Sequence, residues 1–168
     1  MTFKKFYRLK LESIEDELRS QKGEYHLGSS ENSLFFGNEG AGVLVYCRKT
    51  NRFLLGLRSE LVNEPGTWGT FGGKIEDDSD PKLAAKRELE EETKYNGHIN
   101  LIHFDTFKSG NFKFYNFLGI VEKQFEPTLD WENDDAQWFS LDEFPRNLHF
   151  GLRRLIPHLG VVLSRLNN

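Results

Sequence analysis

One cysteine, Cys47, in 168 residues leaves no partner for an internal disulfide. That agrees with a reducing compartment, and the cytoplasm is the default expectation. No apolar run approaches the roughly 18 residues that a membrane-spanning helix needs. The opening MTFKKFYRLKLESIEDEL is basic at first but has no unbroken apolar core of the signal-peptide kind. Lys and Arg number 22 against 26 Asp and Glu, for a net charge of −4. No basic block interrupts that balance, so a nucleic-acid footprint is excluded. The histidines, His26, His98, His103, His149 and His158, show no zinc spacing. Repeats and low-complexity tracts are missing too. The length suits one domain, enough to bury about 70% of its unfolded surface.

What is present is concentrated between Gly72 and Tyr95, GGKIEDDSDPKLAAKRELEEETKY. Asp80-Pro81 supplies a side-chain acceptor at the N-cap and a proline at the first helical position, so a helix starts there. Glu88, Glu91 and Glu92 then stand at i, i+3 and i+4, on one face of that helix. Three like charges so close repel one another unless something positive lies between them. A hard divalent cation such as Mg²⁺ fits, because it takes carboxylate oxygens and bridges to substrate phosphates. Taken alone, such a run reads as a solvated acidic face. Lys82, Lys86 and Glu90 form the outer stripe, Ala85 and Leu89 can pack inward, and the small Ala84 leaves room beside the acidic face. Arg87, four residues before Glu91, can orient that carboxylate and hold it ionised.

Gly73, Arg87, Glu88, Leu89, Glu91, Glu92 and Tyr95 resemble the Nudix box, G-x5-E-x7-R-E-U-x-E-E-x-G-U with U a bulky apolar residue. The five fixed matches coincide by chance at about 10⁻⁶ per starting position. Ser79 stands in place of the first glutamate and Lys94 in place of the late glycine. The flanking Asp78 and Asp80 can add a carboxylate near Ser79, although Asp80 is more simply the cap. The resemblance implies an α/β/α sandwich with a mixed sheet. It also implies Glu88, Glu91 and Glu92 as ligands of Mg²⁺ or Mn²⁺, with Gly73 beside them.

The rest of the chain reads coherently with that fold. Ser13-x-x-Asp16 starts an N-terminal helix that Gly23 stops, and a polar, glycine-rich loop follows to Asn38. Residues 1–38 are expected to belong to the same unit as the domain at 39–168. Gly42 to Cys47 and Phe53 to Arg58 flank a turn at Lys49-Thr50-Asn51, a hairpin. Leu101 to Phe107 and Phe112 to Val121 are further strands, and Trp138-Phe139 is a short one. Ser140-x-x-Glu143 reads as a capping box for a single turn. Leu152, Leu155, Ile156, Leu159 and Leu163 give the last helix its buried face, with Pro157 an expected kink.

Further candidates surround the box. The glycines of PGTWGTFGGKIE let a backbone approach a phosphate, as a loop with exposed N–H groups would. Lys74 and Arg58 can touch phosphate. Trp68 and Phe71 either line a nucleobase pocket or belong to the core. Glu132 is the candidate general base on a later loop, ahead of Asp134 and Asp135, with Glu92 the other choice for activating water. The activity that the resemblance implies is metal-dependent hydrolysis of a pyrophosphate bond in a nucleoside diphosphate linked to another moiety, a small-molecule nucleotide substrate. A nucleoside triphosphate, in the manner of MutT, is the first choice, and ADP-ribose or another nucleotide sugar the second. Gly110 occupies the place where ADP-ribose enzymes of the family often carry proline, and the SQPWPFPxS tail of the NADH enzymes is missing. A non-catalytic nucleotide-binding module is a rival reading, as is an isopentenyl diphosphate isomerase-type reaction. The isomerase would need a reactive cysteine, whereas Cys47 sits in an apolar strand. Whether the N-terminal helix covers the site or pairs two subunits into a homodimer is left open by the residues.

Overall fold

A computed structural model describes residues 39–76 and 80–166. The expected N-terminal helix and loop, and with them Asp78 and Ser79, lie outside the described residues. The elements run β1 (Glu39–Cys47), β2 (Arg52–Arg58), β3 (Trp68–Gly69), β4 (Phe71–Lys74), α1 (Pro81–Thr93), β5 (Asn100–Ser109), β6 (Phe112–Val121), β7 (Asn133–Phe139), a 3-10 turn (Leu141–Glu143) and α2 (Phe150–Leu166).

The strands form one seven-stranded mixed sheet. Strand β1 is its spine. One edge runs parallel to β6, from Glu39↔Lys113 to Cys47↔Val121. The other edge is divided, Gly40–Val43 pairing antiparallel with β4 and Val45–Cys47 with β2. Beyond β1, Gly56 and Leu57 of β2 meet β3 on one side and β7 on the other. Strands β5 and β6 close the far edge as an antiparallel pair, irregular between His103 and Asp105.

Side chains alternate across the sheet, and the core therefore divides in two. Ala41, Val43, Val45, Cys47, Leu54 and Phe117 pack against Ala84, Ala85 and Leu89 of α1. Leu44, Tyr46, Phe53, Leu55, Leu118 and Ile120 pack against Leu152, Ile156, Leu159 and Leu163 of α2. Helix, sheet, helix is the α/β/α sandwich that the residues implied. Cys47 is buried and free, with Sγ 3.7 Å from the Glu122 carbonyl oxygen, as a small core side chain.

Helix α1 begins where its cap says it should, the Lys82 N–H donating to Asp80 Oδ1 at 2.8 Å with Pro81 first in the helix. Helix α2 buries the five apolar residues expected of it and stays helical on both sides of Pro157. Three expectations change. The glycine-rich PGTWGTFGG stretch is no open loop, because Trp68–Gly69 and Phe71–Lys74 are strands. The strand ending in Trp138-Phe139 starts earlier, at Asn133. Ser140 and Glu143 bond side chain to side chain, Oγ to Oε2 at 2.8 Å, over a 3-10 turn whose N-cap has no side-chain hydrogen bond.

Lys94, in place of the family's glycine, caps α1 in the left-handed region at φ 57 and donates its N–H to the Glu90 carbonyl. A residue with a Cβ is disfavoured there by about 1 kcal/mol. Lys94→Gly should therefore raise stability by about that amount in urea or thermal unfolding. Unchanged or lower stability would show that the 2.8 Å bond from Lys94 Nζ to the Glu91 carbonyl offsets the strain.

Candidate active site

The acidic face of α1 lies partly inside the molecule. Glu92 is only 4% exposed and Glu88 8%, whereas Glu91 is open to solvent. Glu92 is fixed from two strands, Oε1 accepting from the Gly72 N–H at 2.6 Å and Oε2 from Asn133 Nδ2 at 2.7 Å. Two glycines make this packing sterically possible. A Cβ on Gly73 would stand 2.5 Å from Glu88 Oε2, and one on Gly56 would collide with Asn133 Oδ1. Gly73 is thus a strand residue whose missing side chain lets the Glu88 carboxylate lie against β4.

Arg87 ties the face together. Its Nη1 donates to Glu88 Oε1 at 2.7 Å and reaches both Glu91 oxygens at 3.3 and 3.4 Å. Its Nη2 donates to the Lys74 carbonyl at 2.8 Å. The expected partner Glu91 is reached, but the shorter ion pair is with Glu88. Lys74 itself is exposed at the end of β4.

Glu132 ends the loop before β7 and shares one electrostatic field with the helix glutamates. Burial pushes its carboxyl above the usual range; Asp130 and Glu91 add to this and Arg58 opposes it. Burial raises Glu88 as well, with Arg87 pulling back and Glu91 and Glu132 pushing further. Glu92 is raised well above the ordinary carboxylate value by burial, against the Asn133 and Gly72 hydrogen bonds and with the charges of Glu132 and Asp130. Facing them is Arg58, whose guanidinium is lowered by burial and supported by Glu92, Glu64 and Glu132. Its Nε donates to the Asn63 carbonyl at 2.6 Å.

As placed, no three acidic or imidazole side chains among the described residues converge closely enough to enclose an ion. Glu88 and Glu91 are turned onto Arg87 instead. The donor chemistry nonetheless fits a hard divalent cation: the side-chain donors are all carboxylate oxygens, and burial makes ionising Glu88 and Glu92 unfavourable, a cost that a bound cation would offset. Asp135 is engaged by the Ala136 N–H and by Gln137 Nε2, and Asp134 is exposed.

The aromatic candidates correct differently. Phe71 is 0% exposed in the core beneath α1. Trp68 packs edge-on against Phe139 at 5.1 Å. Neither lines the neighbouring cleft of about 130 Å³, which Arg58, Gly72, Asn116, His149, Arg154 and four phenylalanines bound. His149, given no role from its spacing, is held neutral. Burial first, then Arg58, lowers it to about 4, against Glu64. Its Nδ1 accepts from the Gly151 N–H at 3.1 Å. Asn133 and His149 carry no local sequence signal, since their partners lie on distant elements.

The NUDIX domain profile matches residues 38–159. The dihydroneopterin triphosphate diphosphatase of Haemophilus influenzae is 32% identical over 121 residues, 61% of this chain and 74% of that protein. The oxidized purine nucleoside triphosphate hydrolase of Danio rerio is 32% identical over 113 residues, 61% of this chain and 67% of that protein. Among solved structures, the Ap4A hydrolase of C. elegans in a binary complex gives a TM-score of 0.62 at 20% identity, covering 74% of this chain and 98% of that one. That last likeness concerns the fold alone. The class these matches define is a hydrolase domain on an α/β/α sandwich. The chain belongs to the Nudix family, and it is a pyrophosphohydrolase acting on phosphoric anhydrides.

The buried charges make stability pH-dependent. The folded pKa of Glu92 exceeds its unfolded value near 4.5. Its contribution is therefore full below 4.5 and lost as pH rises through the folded value. The folded value of His149, about 4, lies below 6.5, so its contribution is present above 6.5 and lost as pH falls toward 4. In metal-free buffer Glu92→Gln should raise Tm at mildly alkaline pH, with Asn133 turning its amide over, and leave the acid-side loss in place. Equal or lower Tm than the parent at alkaline pH would contradict this.

Proposed function

We propose that the protein hydrolyses a pyrophosphate bond of a nucleoside triphosphate with the help of Mg²⁺ or Mn²⁺. The observation that carries this reading is the common field of Glu88, Glu92 and Glu132 opposite the half-buried Arg58. Glu88, Glu91 and Glu92, with the Gly73 carbonyl, would hold the metal. When bound, it would neutralise phosphate charge and lower the pKa of a water. Arg58, and Lys74 from the open end of β4, would take phosphate oxygens.

For the general base, geometry favours Glu132 over Glu92. Both Glu92 oxygens already accept hydrogen bonds, and that side chain is almost sealed from water. Glu132 is half-buried with a raised pKa, which suits a group that must take a proton near neutral pH. Arg87 would orient Glu88 and Glu91. The triphosphates in the names of the Haemophilus and Danio relatives support that substrate class over ADP-ribose. A buried Cys47 speaks against the isomerase-type reaction.

Turnover of a nucleotide panel, read by phosphate and pyrophosphate release, tests the reading. Exhaustive chelation should abolish activity, Mg²⁺ or Mn²⁺ should restore it, and equal turnover without metal would remove the metal mechanism. Glu132→Gln should lower kcat by about 10² to 10⁴ with the fold intact. A kcat within twofold of the parent would pass the role to Glu92.

A further inference from the structure

The cleft beside Gly72 and Arg58 has a wall of phenylalanine, and strand β6 adds one polar side chain to its lining. Phe114 lies against β1 because Gly40 and Gly42 present no side chain there; a Cβ on either would stand 2.7 or 2.9 Å from its ring. Phe107 meets Phe150 edge-on at 6.0 Å and Phe112 at 6.3 Å. Such a surface accepts a flat ring through its π-face, whatever the ring's substituents.

Asn116 is the polar group, 6% exposed on β6. Its Nδ2 donates to Asp105 Oδ2 at 3.2 Å and lies 3.4 Å from the Phe114 carbonyl oxygen. Both partners are acceptors, so the amide cannot be turned over without facing oxygen to oxygen. Asp105 is itself fixed by Arg154 Nη1 at 3.1 Å, and the Arg154 guanidinium stacks 4.7 Å over Phe107. Among the described residues no donor reaches Asn116 Oδ1. The side chain is thus a buried acceptor of fixed polarity lining the cleft.

We infer that this cleft is a ring-binding subsite in which Asn116 Oδ1, oriented by Asp105 and Arg154, accepts a hydrogen bond from a ring N–H of the substrate. It selects heteroaromatic rings with a lactam N–H edge, as oxopurines have. This deepens the hydrolase reading and rests on it, because the cleft reaches Gly72 and Arg58 of the phosphate side.

A nucleoside without phosphate separates ring recognition from chemistry. Inosine offers one lactam N–H, and 1-methylinosine lacks it. In metal-free buffer, inosine titrated into ¹⁵N-labelled protein should shift the Asn116 side-chain amide and the backbone amides of Phe107, Phe112 and Phe150. Methylation should weaken binding about fivefold or more, the loss of one hydrogen bond to a buried acceptor. Asn116→Leu should weaken inosine and erase the difference between the two nucleosides. Equal affinities in the parent, or shifts confined to other surfaces, would overturn the inference, and this ligand pair decides even if the variant does not fold. Triphosphate hydrolysis indifferent to the ring, with no inosine shifts, would overturn the subsite and leave the hydrolase reading standing. Selective inosine binding without turnover of any triphosphate would support the subsite and sink the triphosphate reading.

Discussion

Glu92 is a carboxylate held where water hardly reaches, between a backbone N–H of β4 and the amide of Asn133 on β7. Hydrogen bonds to a charged group contribute about 1.5 to 3 kcal/mol each, while burying the charge costs several. The arrangement locks α1 to two strands at once and leaves a carboxyl whose ionised form is incompletely compensated. The same helix end also secures the next loop: the Glu92 carbonyl accepts from the Asp130 N–H at 3.3 Å and the Thr93 carbonyl from Thr128 at 2.9 Å. That loop carries Glu132, so its position depends on the contact that also fixes Glu92.

The two arginines around this centre act differently. Arg87 lies along α1 and pairs with both the buried Glu88 and the exposed Glu91, so part of the acidic face is neutralised locally. Arg58 belongs to β2, has its charge favoured by Glu92, Glu64 and Glu132, and also lines the cleft. Placed between the acids and an aromatic cavity, it can meet a substrate whose one part is charged and whose other part is a ring. His149, neutral beside it, adds no competing positive charge.

The parts of this design that are local in sequence were legible there. Asp80-Pro81 announces α1, the 3.6-residue spacing of leucines marks the buried face of α2, and the strands of the central sheet show as apolar runs. Strand β4 was hidden by its own function, because glycine argues against a strand while Gly72 and Gly73 are needed for the close approach of β1 and Glu88. The start of β7 was hidden by the polar run NDDAQ, which reads as loop. The site's supporting residues were invisible for a different reason. Asn133 meets Glu92 across 41 positions and Arg154 meets Asp105 across 49, distances over which spacing carries no signal. Aromatics close to the box drew attention in sequence, yet Phe71 is core and the cleft takes its phenylalanines from β5, β6 and α2.

Burial and repulsion hold the Glu88, Glu92 and Glu132 carboxyls above their ordinary range, so the proposed divalent cation would have to displace protons on binding. Calorimetry of Mg²⁺ binding in buffers of different ionisation enthalpy, at mildly acidic to neutral pH, counts the protons released. Net proton release is expected from the parent, clearly reduced when Glu92 is replaced by Gln. Binding without proton exchange, or the same release from both proteins, would contradict it.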